Sequence, residues 1–145
     1  MSIPDADFTE AAQALVDMLN GLEAGFTAYL WERENFDSIP AVAVGVPVFK
    51  RRDLDEAESQ LMTLDYFFEY PVSFYVELTN ALDDQQKMVD ALQEIAVVID
   101  ADPSLGGTVF DAAITEGTPF IEQDRAVPLA GYQITVATQK LVDPN

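Results

Sequence analysis

The chain has 145 residues, 49% of them hydrophobic and 10% aromatic, enough to pack one domain without disulfides or metal staples. Its 26 acids against 7 bases leave a net charge of −19, which argues against binding nucleic acid through its phosphates. The absence of His and Cys excludes disulfides, thiolate metal sites and the common catalytic triads, and no apolar run reaches the ~18 residues of a membrane span. The opening Met1-Ser2-Ile3-Pro4-Asp5 lacks a basic, apolar secretion pattern, so a cytoplasmic protein is expected.

Asp7-Phe8-Thr9-Glu10 has the D-x-x-E form of a helix cap. Phe8, Ala11, Ala12, Leu15, Met18, Leu19 and Leu22 follow at helical spacing, and Asn20-Gly21 is a stop signal. Phe26 to Arg33 has the composition of a strand, with a helix as the open alternative. Ile39 to Val48 is nearly all apolar and interrupted by Pro40, Gly45 and Pro47, which suits a strand buried on both faces. Phe49 to Leu61 is the most charged stretch and reads as a long exposed loop or hairpin tip.

Tyr66 to Thr79 carries the clearest alternation, with Tyr70, Val72, Phe74, Val76 and Leu78 on one face and Pro71, Ser73, Tyr75, Glu77 and Thr79 on a semi-polar one. Asp83 and Asp84 mark the start of a second helix, whose apolar stripe is Gln85, Met88, Val89, Leu92, Ile95, Ala96 and Ile99. Asp102-Pro103 ends it. Leu105, Gly106 and Gly107 then predict a tight turn with left-handed backbone, a structural role. Thr108 to Thr115 reads as a strand, Gly117-Thr118-Pro119 as a turn, and Glu122 to Ala130 as a loop. A last strand runs through Tyr132, Ile134 and Val136 to about Leu141. The expected order is helix, two or three strands, helix, two strands. That order predicts a single α+β domain over residues 1–145, a mostly antiparallel single-layer sheet with two main helices on one face.

Chemical constellations are sparse. The close pairs Asp53/Asp55, Glu56/Glu58, Asp83/Asp84 and Asp100/Asp102 are expected by chance among 26 carboxylates. Asp53-x-Asp55-Glu56 departs from a calcium loop by carrying Glu58 where glycine belongs. Leu105-Gly106-Gly107-Thr108 precedes a strand, so it lacks the helix N-terminus of a phosphate cradle. No catalytic residue, metal ligand or cofactor is expected. The basic cluster Lys50-Arg51-Arg52, next to Asp53, Asp55, Glu56 and Glu58, is either a solvated loop or a charged contact with a neighbouring subunit. Phe49, Lys50, Arg51, Arg52, Asp53 and Asp55 are therefore the candidate interface.

Three stretches carry a resemblance: the first helix leading to a strand and to Ile39-Pro40-Ala41-Val42-Ala43-Val44; the long strand Tyr70–Leu78 before an acid-led helix; and Asp102-Pro103-Ser104-Leu105-Gly106-Gly107-Thr108-Val109, followed by Gly131-Tyr132-Gln133-Ile134-Thr135-Val136. In these the chain resembles the tail terminator proteins of long-tailed bacteriophages, a group that includes tail-to-neck joining proteins. The resemblance covers most of the chain through loose motifs. It implies a subunit without an active site that forms a hexameric ring, caps the tail-tube protein, stops its polymerisation and meets the head-tail connector. Such a protein belongs to the virion tail or neck, assembled in the host cytoplasm, with no membrane partner. DNA would pass through the ring unbound, and an acidic lumen suits that passage. The alternatives are another neck or minor tail component, an acidic DNA-mimic inhibitor, or an enzyme using paired carboxylates.

Overall fold

The computed structural model describes residues 8–33, 36–51, 64–78, 81–124 and 128–142. Helix α1 spans Phe8–Asn20, and strands β1 Thr27–Leu30, β2 Ala41–Val44, β3 Val48–Arg51 and β4 Leu64–Glu77 follow. Helix α2 covers Ala81–Ala101, and β5 Asp111–Glu122 and β6 Leu129–Val142 complete the order. All six strands form one sheet in the order β1-β2-β4-β6-β5, with β3 also paired to β4. Only β1–β2 is parallel; every other pairing is antiparallel. This is the α+β architecture the sequence predicts.

The sheet is built on β4 and β6, which pair without interruption from Leu64↔Val142 to Glu77↔Leu129. Strict alternation along β4 turns Tyr66, Phe68, Tyr70, Val72, Phe74 and Val76 to one face, where all are buried. Both helices cover that face. Ala11, Ala12, Leu15, Val16 and Leu19 of α1, and Met88, Ala91, Ile95 and Ile99 of α2, recur at helical spacing and join the same core. Phe26 meets Phe74 edge-on at 5.4 Å between ring centroids.

Polar side chains tie the connections down. Glu94 on α2 accepts the backbone N–H groups of Glu23 (2.7 Å) and Ala24 (3.0 Å), fixing the segment after α1 to the second helix. Asn20 Oδ1 accepts the Ala28 amide at 2.8 Å and links the end of α1 to β1. Lys140 reaches Glu10 at 3.5 Å, from the far end of β6 to the first turn of α1.

Several expected boundaries move. The apolar run Ile39–Val48 is two strands, because the chain breaks at Gly45–Pro47. A Cβ on Gly45 would lie 2.8 Å from the Pro71 ring, so only glycine lets the chain pass β4 there. Phe49–Arg51 form strand β3, where a loop is predicted; Arg52 to Leu61 lie outside the described residues, as does the Asp7 cap. The helix begins at Ala81, ahead of Asp83 and Asp84; Val89 and Gln85 of its predicted stripe are exposed, while Ala91 is buried. Four strands therefore separate the helices. Gly117-Thr118-Pro119 lies inside β5, which starts at Asp111 and runs through the predicted turn, and Leu78 falls just after β4.

The turn after α2 is as the sequence predicts. Leu105, Gly106 and Gly107 have φ of 49°, 68° and 84°, and Leu105 is fully buried in the core although its backbone is left-handed. Asp102 organises it: its carboxylate accepts the Ser104 hydroxyl (2.6 Å) and the Gly106 amide (2.9 Å), and Ser104 Oγ accepts the Gly107 amide (3.0 Å). Pro103 occupies the first turn position, outside the helix. The Ser104 hydroxyl, and then the Gly106 amide, hold the Asp102 carboxyl below its ordinary value of 3.8. A depressed folded-state value contributes stability above the ordinary pKa, and that contribution is lost as pH falls through the folded-state value. Asp102→Asn should therefore lower the melting temperature at pH 7, with the gap to wild type closing as the pH drops below about 4. Thermal melts from pH 7 to pH 3 check this; a gap constant with pH would mean that the carboxylate charge does not hold the turn.

Candidate functional site

The sheet face away from the helices is sorted by the same alternation, and it carries a second, smaller apolar cluster of Ala43, Tyr75 and Leu129 with Phe36, Ile39 and Phe120 packed against it. Its form depends on one irregularity. Between Ile114 and Glu116 the β5–β6 register shifts by one residue, leaving Thr115 opposite no partner. Before the shift Ala112 and Ile114 face the helices; after it Thr118, Phe120 and Glu122 face away from them. A bulge flips the side-chain parity of everything beyond it. Without the bulge Phe120 would point toward the helices.

Two rows of side chains then cross the far face. Ser73, Gln133 and Thr118 form one, and Tyr75, Gly131 and Phe120 the next. Glycine in the second row is required: a Cβ on Gly131 would lie 2.1 Å from Phe120 Cζ, so the Phe120 ring occupies the space over the bare backbone. There it meets Tyr75 edge-on at 5.6 Å. Tyr75 meets Phe36 at 4.8 Å, and Phe36 meets Tyr29 at 5.3 Å, so four aromatic rings run across the face from β1 to β5. The Arg33 guanidinium sits over the Tyr29 ring at 4.5 Å.

Two of these rings, Tyr75 and Phe120, border an open cleft of about 550 Å³, lined also by Glu32, Arg33, Ser73, Thr118, Glu122 and Gln133. The Tyr75 hydroxyl donates to Glu32 at 2.8 Å, and Gln133 Nε2 donates to Ser73 Oγ at 3.3 Å. Burial, reinforced by Glu32 and more distantly by Glu122, pushes the Tyr75 phenol well above its ordinary value. The phenol stays protonated at neutral pH and acts as a donor. Both carboxylates lie within electrostatic reach of this phenol, so the cleft offers aromatic surface with acceptor charge beside it. Such a lining suits a cationic, planar group such as a guanidinium.

The sequence-predicted interface lies elsewhere. Phe49, Lys50 and Arg51 form β3, all exposed, opposite Phe68, Phe67 and Tyr66 of β4. Phe49 packs on Tyr66 and Phe68 at 5.2 and 5.5 Å. Lys50 is paired within its own chain to Glu69 at 3.0 Å, an exposed bridge of small energetic weight. Arg52, Asp53 and Asp55 lie outside the described residues. Among the described residues no three acids converge into a metal-ligand set. The turn residues Asp102, Pro103, Leu105, Gly106 and Gly107 serve the fold as described above.

Sequence reasoning missed Glu32, Arg33, Tyr75, Phe120 and Glu122 as a group. The available signal was Gly131 within an otherwise β-rich run, a sign of close approach by another side chain.

No protein-family model matches the chain, and no curated protein is detectably similar to it in sequence.

Gly131→Ala should destabilise the protein by about 1–3 kcal/mol in urea unfolding, because the new methyl displaces the Phe120 ring. In Phe120→Ala the same glycine change should cost measurably less, since contacting residues couple. Additive effects of the two changes would show that the ring is not held by the bare backbone.

Proposed function

We propose that the protein is a ring-forming structural subunit that caps a phage tail tube, stops its polymerisation and joins it to the head connector, as its resemblance to tail terminators implies. The α+β layer that the resemblance calls for is present, and one observation carries the reading further. Strand β3 lies at the sheet's edge with all four residues exposed, continuing an apolar stretch in which Val46, Val48 and Phe49 are 72%, 54% and 42% exposed. An exposed apolar patch of this kind marks a contact surface for another chain. Lys50 and Arg51 place positive charge beside this apolar surface in a chain of net charge −19.

Six such copies carry a large like charge, so assembly is opposed by repulsion at low salt. Light scattering across a salt series should give a species of roughly 96 kDa, six times 16.0 kDa, whose fraction rises from low to moderate salt. Added to growing tail tubes, the protein should bind one end and arrest elongation, with ring-shaped particles visible by electron microscopy. A monomer at every salt concentration that also leaves tube length unchanged would overturn the reading.

A further inference from the structure

The far-face cleft holds a cation of its own chain. Arg33 lines it together with Glu32, and its guanidinium rests over the Tyr29 ring at 4.5 Å. Glu122 also lines it and already has an interaction within the chain. A second cation would meet Arg33, and an anion would meet two carboxylates in a chain of net charge −19, so the lining disfavours a charged ligand of either sign. The backbone bends sharply to present this pair. Trp31, just before Glu32, has a φ of 70°, an outlier for so bulky a residue, while its amide still donates to the Val44 carbonyl at 2.7 Å.

Hydrogen-bonding capacity of both kinds is left over in the cleft. The Thr118 hydroxyl, the Gln133 carbonyl and the Arg33 N–H groups make no hydrogen bond among the described residues, and Glu32 accepts the Tyr75 hydroxyl through one oxygen alone. All four of these residues are exposed. The apolar part is one-sided: Tyr75 is buried, so the half-buried Phe120 ring is the aromatic surface of the cleft that a ligand can reach. We propose that the cleft binds a neutral pyranose sugar, with the sugar's C–H face on Phe120 and its hydroxyl groups on Glu32, Arg33, Thr118 and Gln133. A sugar hydroxyl both donates and accepts, so it can give its proton to a carboxylate while receiving an N–H from a guanidinium, the combination that Glu32 and Arg33 offer side by side. A flat heterocycle gains most from a slot between two apolar walls, whereas this cleft is open and has one. Its volume of about 550 Å³ lies within the ~300–1,000 Å³ of small-molecule sites. The site is independent of the ring reading.

The test is an NMR titration of the full chain, following backbone amide signals, with glucose, galactose, mannose and N-acetylglucosamine as probes. At least one should shift the signals of Glu32, Arg33, Thr118, Phe120 and Gln133 saturably, with a Kd of about 1 mM or tighter. Arginine and inorganic phosphate at the same concentrations should leave those signals in place; saturable binding of either in the cleft would overturn the assignment of a neutral ligand. The methyl glycoside of the responding sugar identifies the source: binding retained points to a sugar linked within a glycan, binding lost to a free sugar. Thr118→Val keeps the side-chain shape and removes the hydroxyl, and it should weaken binding about two- to tenfold. Phe120→Leu, which keeps an apolar side chain and removes the ring, should also weaken it. Dispersed amide spectra confirm that each variant is folded. No saturable shift with any of the four sugars, or a folded Thr118→Val that binds like wild type, would overturn the site.

Discussion

The structure depends on the uninterrupted pairing of β4 with β6. Fourteen consecutive residue pairs, from Leu64↔Val142 to Glu77↔Leu129, lock a register in which no side chain can change face without all of them changing. Everything else attaches to this ribbon. β2 and β3 share one edge of β4, β5 takes the free edge of β6, and the helices lie on the face that Tyr66, Phe68, Tyr70, Val72, Phe74 and Val76 make apolar. Thr138 illustrates how tightly the ribbon is closed: its buried hydroxyl donates to the Phe68 carbonyl on the neighbouring strand at 2.9 Å.

With one face committed to the helices, the character of the other is set by where the alternation is broken. The bulge at Thr115 moves Phe120 and Glu122 to the far face, and Gly131 leaves room for the Phe120 ring over the ribbon. The same bulge leaves Ile121 turned to the helix side but 58% exposed, beyond the cover that α2 provides. Bulge, Gly117 and Pro119 also interrupt the outer edge of β5, the longest exposed edge of the sheet, and such features discourage pairing with another strand. β3 is short and carries Lys50 and Arg51, which have the same effect. Both edges are thus guarded against strand pairing, and it is the exposed side chains of Val46, Val48 and Phe49 that make β3 the place for the proposed contact.

What could be read from the sequence follows from how local each signal is. The alternation of Tyr70 through Val76, the α1 stripe, Met88, Ile95 and Ile99 of the α2 stripe, and the left-handed turn at Leu105–Gly107 are written in neighbouring residues, and the structure has them; Gln85 and Val89 of the predicted α2 stripe are exposed. Ala91 hid because a small residue between Asp90 and Leu92 does not mark a buried stripe, whereas tertiary packing does. The parity switch in β5 was illegible because Gly117-Thr118-Pro119 has the composition of a turn, and only pairing with β6 keeps it extended. β3 was masked by its charge: Lys50 and Arg51 read as loop, yet an edge strand tolerates them since both its faces are exposed. The cleft draws residues from β1's exit, β4, β5 and β6, and no spacing rule reaches across that distance in sequence.

Charge then decides how copies of this chain can meet. At −19 per copy, two random surfaces brought together are both acidic, and their repulsion extends over the ~8 Å screening length of physiological salt. Only a contact that places one of the few bases against an acid offsets that cost locally, and with most described bases already engaged the choice of orientation is narrow. Scarcity of cations thus narrows the orientations in which copies can meet to those that bring one of the few bases, such as Arg51 on β3 or Lys87 on α2, against an acid. In the proposed ring the same excess of acid would line the enclosed passage and would repel DNA phosphates. Under that proposal one composition would serve two requirements, few permitted contact orientations and a channel wall that does not hold what passes through it.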